Sequence, residues 1–308
     1  MSAGPAGRGP IVVGVERSER SRDALALARA LARAADTRLL LVAVYAADAR
    51  SAMMERGAYA RSLALEAGSV LEWVARPLAG VPAESRAVPC TSVPRGLQEV
   101  ARAEGALAIV VGASHRGPLG RIVPGSVGER LLHGAPCPVA VAPRGYWGHA
   151  YAGIKRVGVG YVDAPEAREA LGAAVGLAAR ADAAVRVLSV VEPRAVSASL
   201  PFGSGSGKLD ATVRAELADD MRRAIDRVAA PVEISGELAD GYADDELARL
   251  SREVDLLVCG SRGHGPIGNV MLGCISTGVL RKARCPVLVV PRGARDGFAA
   301  LRAPAVAV

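Results

Sequence analysis

The sequence predicts an α/β protein built from two tandem domains, each with a parallel sheet covered by helices on both faces. Three observations carry this. The chain repeats itself: Gly112, Gly125 and Cys137 recur as Gly260, Gly273 and Cys285, each 148 residues further on. That period is far too long for a solenoid and fits a duplicated domain of ordinary size. Short apolar runs alternate with amphipathic stretches through both copies, as buried parallel strands alternate with covering helices. The length of 308 residues and the 51% hydrophobic content suffice for two cores.

In the first copy, Ile11-Val12-Val13-Gly14-Val15 reads as a buried strand, and Ser18 as the cap of a helix whose apolar positions run from Asp23 to Ala35. Residues 39–44 form the second strand, 53–76 a long helix and 85–88 a weak third strand. A helix over 95–104, a strand over 107–111, a helix over 125–133 and a strand over 138–141 complete the copy. The second copy keeps the order. Its strands fall at 157–161, 185–190, 232–238, 256–259 and 287–290, and its helices at 166–180, 209–228, 244–252 and 275–282. Early in the copies the offset is 146, since Arg22-Asp23-Ala24-Leu25 matches Arg168-Glu169-Ala170-Leu171. The expected domains are 9–145 and 154–293, joined by a linker near 146–153, with frayed ends.

Composition narrows the function. A net charge of +7 with scattered arginines, and aromatic content of only 3%, argue against nucleic-acid binding, which needs basic patches and stacking platforms. No run approaches the roughly 20 apolar residues of a membrane span, and Met1 to Pro5 lacks the apolar core of a targeting segment. A soluble, cytoplasmic protein is expected. Five cysteines without CxxC or Cys/His clustering read as buried reduced thiols, and no metal site is expected. Met53, Met54 and Trp73 read as core or interface residues. Asp240, Asp244 and Asp245 read as caps at a helix start.

The chemistry-bearing feature is a glycine-rich loop between a strand and a helix, present twice. The first is Gly112-Ala113-Ser114-His115-Arg116, leading to Gly125-Ser126-Val127; the second is Gly260-Ser261-Arg262-Gly263-His264, leading to Gly273-Cys274-Ile275-Ser276. Glycine lets backbone approach a phosphate, and the first N–H groups of a helix point at it. No Gly-Lys-Ser/Thr of a P-loop follows, and the loop does not read as the Rossmann fingerprint. His115 and His264 have no nucleophile or carboxylate partner tied to them, so they read as anion contacts or exposed loop residues.

Gly-x2-Gly-x9-Gly, a helix and then Ala-Pro-Cys-Pro-Val resembles the universal stress protein family, over roughly 9–145 and 154–293. The resemblance implies a doubly wound, open five-stranded parallel sheet in each copy, of the adenine nucleotide alpha hydrolase-like kind. It implies ATP binding in part of the family, with Mg²⁺ accompanying the nucleotide. It also implies that the two domains pair through their last strands as an intrachain pseudo-dimer, with a homodimer and unknown protein partners as further associations. The family's binders carry an Asp after the first strand that contacts the adenosine part. Here Glu16 keeps a carboxylate after Gly14, whereas the second copy has Val162 there and Asp163 one residue on.

The expected function is therefore an adenine-nucleotide binding regulatory module of the stress response; the alternative is a nucleotide-free dimerising scaffold with degenerate pockets. The expected ligand contacts are Gly14, Glu16, Gly112, His115, Arg116, Gly125, Ser126 and Val127 in the first copy. In the second they are Asp163, Gly260, Arg262, Gly263, His264, Gly273, Cys274, Ile275 and Ser276. Because the second copy keeps both loop glycines, it is expected to bind at least as well as the first. No catalytic residue is assigned; an enzyme reading would extend at most to slow ATP hydrolysis, for which no arginine finger or placed base is visible.

Overall fold

A computed structural model describes residues 9–46, 57–76, 80–114, 119, 122, 125–148, 153–192, 206–228, 230–261 and 274–291. The first half runs β1 (Ile11–Gly14), α1 (Glu19–Ala35), β2 (Leu39–Tyr45), α2 (Gly57–Ala75), β3 (Ala83–Pro89), α3 (Val93–Ala103), β4 (Ala108–Gly112), α4 (Ser126–Leu132) and β5 (Val139–Ala142). After a short 3-10 turn (Tyr146–Gly148), the second half runs β6 (Arg156–Gly160), α5 (Pro165–Ala181), β7 (Ala184–Val191), α6 (Ser206–Val228), β8 (Ile234–Asp240), α7 (Ala243–Leu250), β9 (Leu256–Gly260), α8 (Cys274–Lys282) and β10 (Val287–Val290).

Each half forms a five-stranded parallel sheet, and the two join into one ten-stranded sheet in the order β3-β2-β1-β4-β5-β10-β9-β6-β7-β8. The join is the antiparallel pair of last strands that the resemblance implied. Its register sets Ala140 opposite Leu288, and these are equivalent residues of the two copies. A twofold relation between the halves therefore passes through this pair, as in an isologous dimer. Two apolar edges that would otherwise stand open cover each other. At the outer edges, β3 and β8 carry charge instead: Arg38 pairs with Glu84, and Arg186 with Glu237.

Both faces of the sheet are buried, as the continuous apolar strands require. One cluster packs α1, α2, α5 and α6 on Ile11, Val13, Val157 and Leu288. The other packs α3, α4, α7 and α8 on Val12, Leu40, Val139 and Leu257. Each cluster runs through both halves, so the two domains share their cores. Helices α1 and α5 both end at an aspartate in the left-handed region, Asp36 (φ 52°) and Asp182 (φ 49°), a conformation Asp tolerates better than most residues.

Most differences from the expected elements lie at ends. Helix α1 starts at Glu19, not Asp23, because its polar first turn shows no apolar period yet buries Ser21. Ser18 holds the N-cap position, but its hydroxyl donates to Glu16 Oε1 at 2.7 Å and accepts no helix N–H. Asp244 and Asp245 are not caps: both accept from Lys282 Nζ at 2.7 Å, tying α7 to α8, and Asp240 pairs with Arg214. Cys137, Cys259 and Cys285 are free and buried. Burial pushes the Cys137 and Cys259 thiols up to about 12, which keeps them protonated and unreactive at neutral pH. Met53 and Met54 lie outside the described residues.

Candidate functional site

The strand order of each half reverses direction beside its first strand. The crevice outside the carboxyl ends of β1 and β4 is therefore the place where an open α/β sheet takes a ligand, and β6 with β9 forms its counterpart. Gly14 and Gly112 end the strands of the first crevice; Gly160 and Gly260 end those of the second.

In the first crevice the turn after β1 is fixed by Ser21. Its buried hydroxyl donates to the Glu16 carbonyl at 2.6 Å and accepts the Glu16 N–H at 2.8 Å. The Glu16 carboxylate then points outward, accepting from Ser18 and facing Arg20 Nε at 3.4 Å. That nitrogen is buried and makes no aligned hydrogen bond. The far end of the same guanidinium, Nη1, lies 3.9 Å from where a Cβ on Gly125 would stand. Arg20 thus spans from the strand-end carboxylate to the start of α4. Gly125 takes the N-cap position in extended conformation, Ser126 is exposed, and Val127 packs against the core.

Two expectations change here. The positive character that the sequence assigned to a helix N-terminus has little helix behind it, because α4 is only seven residues long. Positive charge beside it comes from Arg20, which sequence reasoning did not single out. Gly112 also has a packing reason: a Cβ there would stand 2.3 Å from the Arg20 carbonyl oxygen, so the first turn of α1 crosses directly over the strand end. Gly14 is similarly pressed by Leu97 at 2.8 Å.

The second crevice is built on the same backbone with different side chains. Gly260 lies under α5, with Glu166 backbone atoms 3.0 Å from its Cβ position. Glu166 is the equivalent of Arg20, and it is buried. Asp163 is engaged: it accepts from Arg168 Nε at 2.9 Å and from the Tyr161 hydroxyl at 3.1 Å. The Arg168 guanidinium holds the Asp163 carboxyl below the usual carboxylate range. Burial, helped by Asp163, raises the Tyr161 phenol. Ser276 is buried and its hydroxyl donates to the Gly260 carbonyl at 2.9 Å, fastening α8 to the strand end. Cys274 and Ile275 open α8, though their side chains lie outside the described residues. His115, Arg116, Arg262, Gly263, His264 and Gly273 also lie outside them.

The described residues contain no group of three or more His, Cys, Asp or Glu able to hold a metal, and no described helix is long and apolar enough to cross a membrane.

These features define a duplicated α/β protein with two switch-point crevices of unequal chemistry. The model of the universal stress protein family matches twice, at residues 7–143 and 153–291, and the chain belongs to that family. A universal stress protein of Mycobacterium tuberculosis is 27% identical over 208 residues, covering 65% of this chain and 69% of that protein. One from Mycobacterium bovis is 30% identical over 190 residues, covering 59% and 60%. The crystal structure of a universal stress protein from Archaeoglobus fulgidus superposes with a TM-score of 0.66 at 19% identity, covering 92% of this chain and 98% of that one. A putative universal stress protein from Pseudomonas aeruginosa gives 0.61 at 18%, covering 95% of each.

Proposed function

We propose that this chain is an adenine-nucleotide binding module of the stress response, and that the crevice of the first copy is its working site. The carrying observation is Arg20, whose buried Nε lacks an aligned hydrogen bond while its Nη1 lies 3.9 Å from where a Cβ on Gly125 would stand. A half-buried guanidinium at a switch point is matched by a phosphate oxygen, to which it gives strong charge-assisted hydrogen bonds. Glu16 stands at the end of β1, where the family resemblance puts the contact with the adenosine part. In this reading Arg20 shifts from the Glu16 carboxylate to the phosphates and frees Glu16 for a ribose hydroxyl. Gly125 leaves room for the approach, and the exposed Ser126 hydroxyl adds a donor. ATP brings Mg²⁺ with it as the counter-ion of its phosphates. No described residue is placed as a base toward a phosphate, so the reading is of binding and not turnover.

The second copy has the buried Glu166 in the place of Arg20 and so lacks that guanidinium, which supports a weaker or absent phosphate site there despite its glycines. A second reading, a scaffold without nucleotide, draws on the glycines: packing against α1 and α5 is reason enough for Gly112 and Gly260. Equilibrium binding of ATP, ADP and AMP to the whole chain separates the two. The nucleotide reading expects ATP to bind more tightly than AMP, because the proposed contacts are to phosphates; the scaffold reading expects no saturable binding.

A further inference from the structure

Away from both crevices, a cavity of about 910 Å³ opens between α1, the end of α2, the linker after β5 and the end of α5. Its floor includes Ala26, Ala30 and Ala34, spaced by one turn along α1, which keeps the helix face low. Its walls are cationic: Arg22, Arg29, Arg33, Arg76, Lys155 and Arg180 all line it, and no Asp or Glu is among the described lining residues. At the rim Glu19 pairs with Arg22 at 2.9 Å and Asp182 with Lys155 at 3.6 Å.

Trp73 and Trp147, the only tryptophans of the chain, also face this cavity. The Arg22 guanidinium lies 5.4 Å from the Trp73 ring and 5.8 Å from the Trp147 ring, bridging the two. Trp147 is held in place from the core side. The buried Asp23 carboxylate accepts the Gly145 N–H at 2.9 Å and the Trp147 N–H at 3.0 Å, pinning the linker turn to α1. The site is thus built by the joining of the two halves and has no duplicate in the second copy, whose equivalent of Trp73 would lie in α6, a helix without tryptophan.

We propose that this cavity is a second ligand site, for a small organic polyanion that carries a flat ring. Six cations around one cavity repel each other, a cost that an anionic occupant removes. The volume is that of a small-molecule site, and its mixture of alanine floor, tryptophan rings and guanidinium groups fits a ring on the apolar surface and phosphate or sulfonate groups on the arginines. A large flat polyanion such as a nucleic acid would need an extended basic surface; here the cations surround one cavity.

Phenyl phosphate, inorganic phosphate and benzyl alcohol are the probes, titrated against the whole chain. Because both tryptophans line the cavity, their emission reports on this site alone. The expected result is a saturable emission change with phenyl phosphate, at least tenfold tighter than with either part-probe and weaker at high salt. Arg33 and Arg76 are exposed, so the double variant Arg33→Gln, Arg76→Gln should fold. It should bind phenyl phosphate at least tenfold more weakly, yet melt at a higher temperature than wild type when ligand-free. Arg20→Ala should leave this binding unchanged, which separates the cavity from the nucleotide crevice. Absence of a saturable change, equal affinity for all three probes, or a double variant that binds like wild type or melts lower would overturn the proposal.

Discussion

At equivalent places in the two halves stand opposite charges. Arg20 in the first half faces Glu16 with its buried Nε and reaches Gly125 with Nη1, while its equivalent in the second half is the buried Glu166, whose backbone lies over Gly260. The backbone around them is the same: both strand-end glycines lie under the first turn of a helix, both helices end on a left-handed aspartate, and Ala140 faces its own equivalent Leu288. Duplication has kept what packing dictates and released what a ligand would dictate. That contrast is the reason to place nucleotide in one crevice and not in two.

The largest expected effect tests whether the halves are independent bodies. Leu288 is fully buried in a cluster that also holds Ala140 and Ala142 of the first half. Leu288→Ala should cost about 2–5 kcal/mol, and chemical denaturation should show one shared transition moving as a whole. Two separate transitions, with only one of them moving, would mean the halves do not share a core.

Next come the strand-end glycines. In Gly112→Ala the new methyl meets the Arg20 carbonyl oxygen at 2.3 Å, and α1 has to shift; in Gly260→Ala the nearest atoms are at 3.0 Å. The first should lose roughly 1–3 kcal/mol by overpacking and the second clearly less, in paired urea melts. Equal losses would mean the two helix starts are not held as described.

Smallest are two pH effects of opposite sign. Burial raises the Asp23 carboxyl above its ordinary value, against the lowering pull of the Trp147 and Gly145 N–H groups. A raised acid contributes stability that is present below its unfolded pKa and is lost as pH rises through the folded value. Asp163, lowered by Arg168, contributes stability present above its unfolded pKa and lost as pH falls through the folded one. Measured from pH 3 to 6, the stability advantage of wild type over Asp23→Asn should shrink as pH rises, and that over Asp163→Asn should grow. Slopes of the same sign would contradict these assignments.

The contrast between halves also explains what the sequence could show. The alternation of apolar runs and amphipathic helices, the 148-residue repeat and the pairing of last strands were legible because burial writes them into residue type. The start of α1 was not, since Glu19, Arg20 and Arg22 are charged and show no apolar period, while Ser21 turns inward to bond Glu16. Nor was Arg20 legible as a site residue, because only the crossing of α1 over Gly112 brings it to Gly125. Ser276 reads in the sequence as one of the first N–H groups of a helix, and the bond of its hydroxyl to the Gly260 carbonyl appears only once α8 is docked. The cavity beside Trp73 and Trp147 needed the folded linker, as these residues are far apart in the chain.

The central claim is that Arg20 equips the first crevice for phosphate. Equilibrium dialysis of ATP against wild type, Arg20→Ala and Glu166→Gln tests it directly. The account predicts one tight ATP per wild-type chain, and affinity at least tenfold weaker in Arg20→Ala, since a hydrogen bond to a charged group is worth about 1.5–3 kcal/mol. In Glu166→Gln that tight site should be undisturbed. An Arg20→Ala chain that binds ATP as wild type does, or a wild-type chain that binds none, would contradict it.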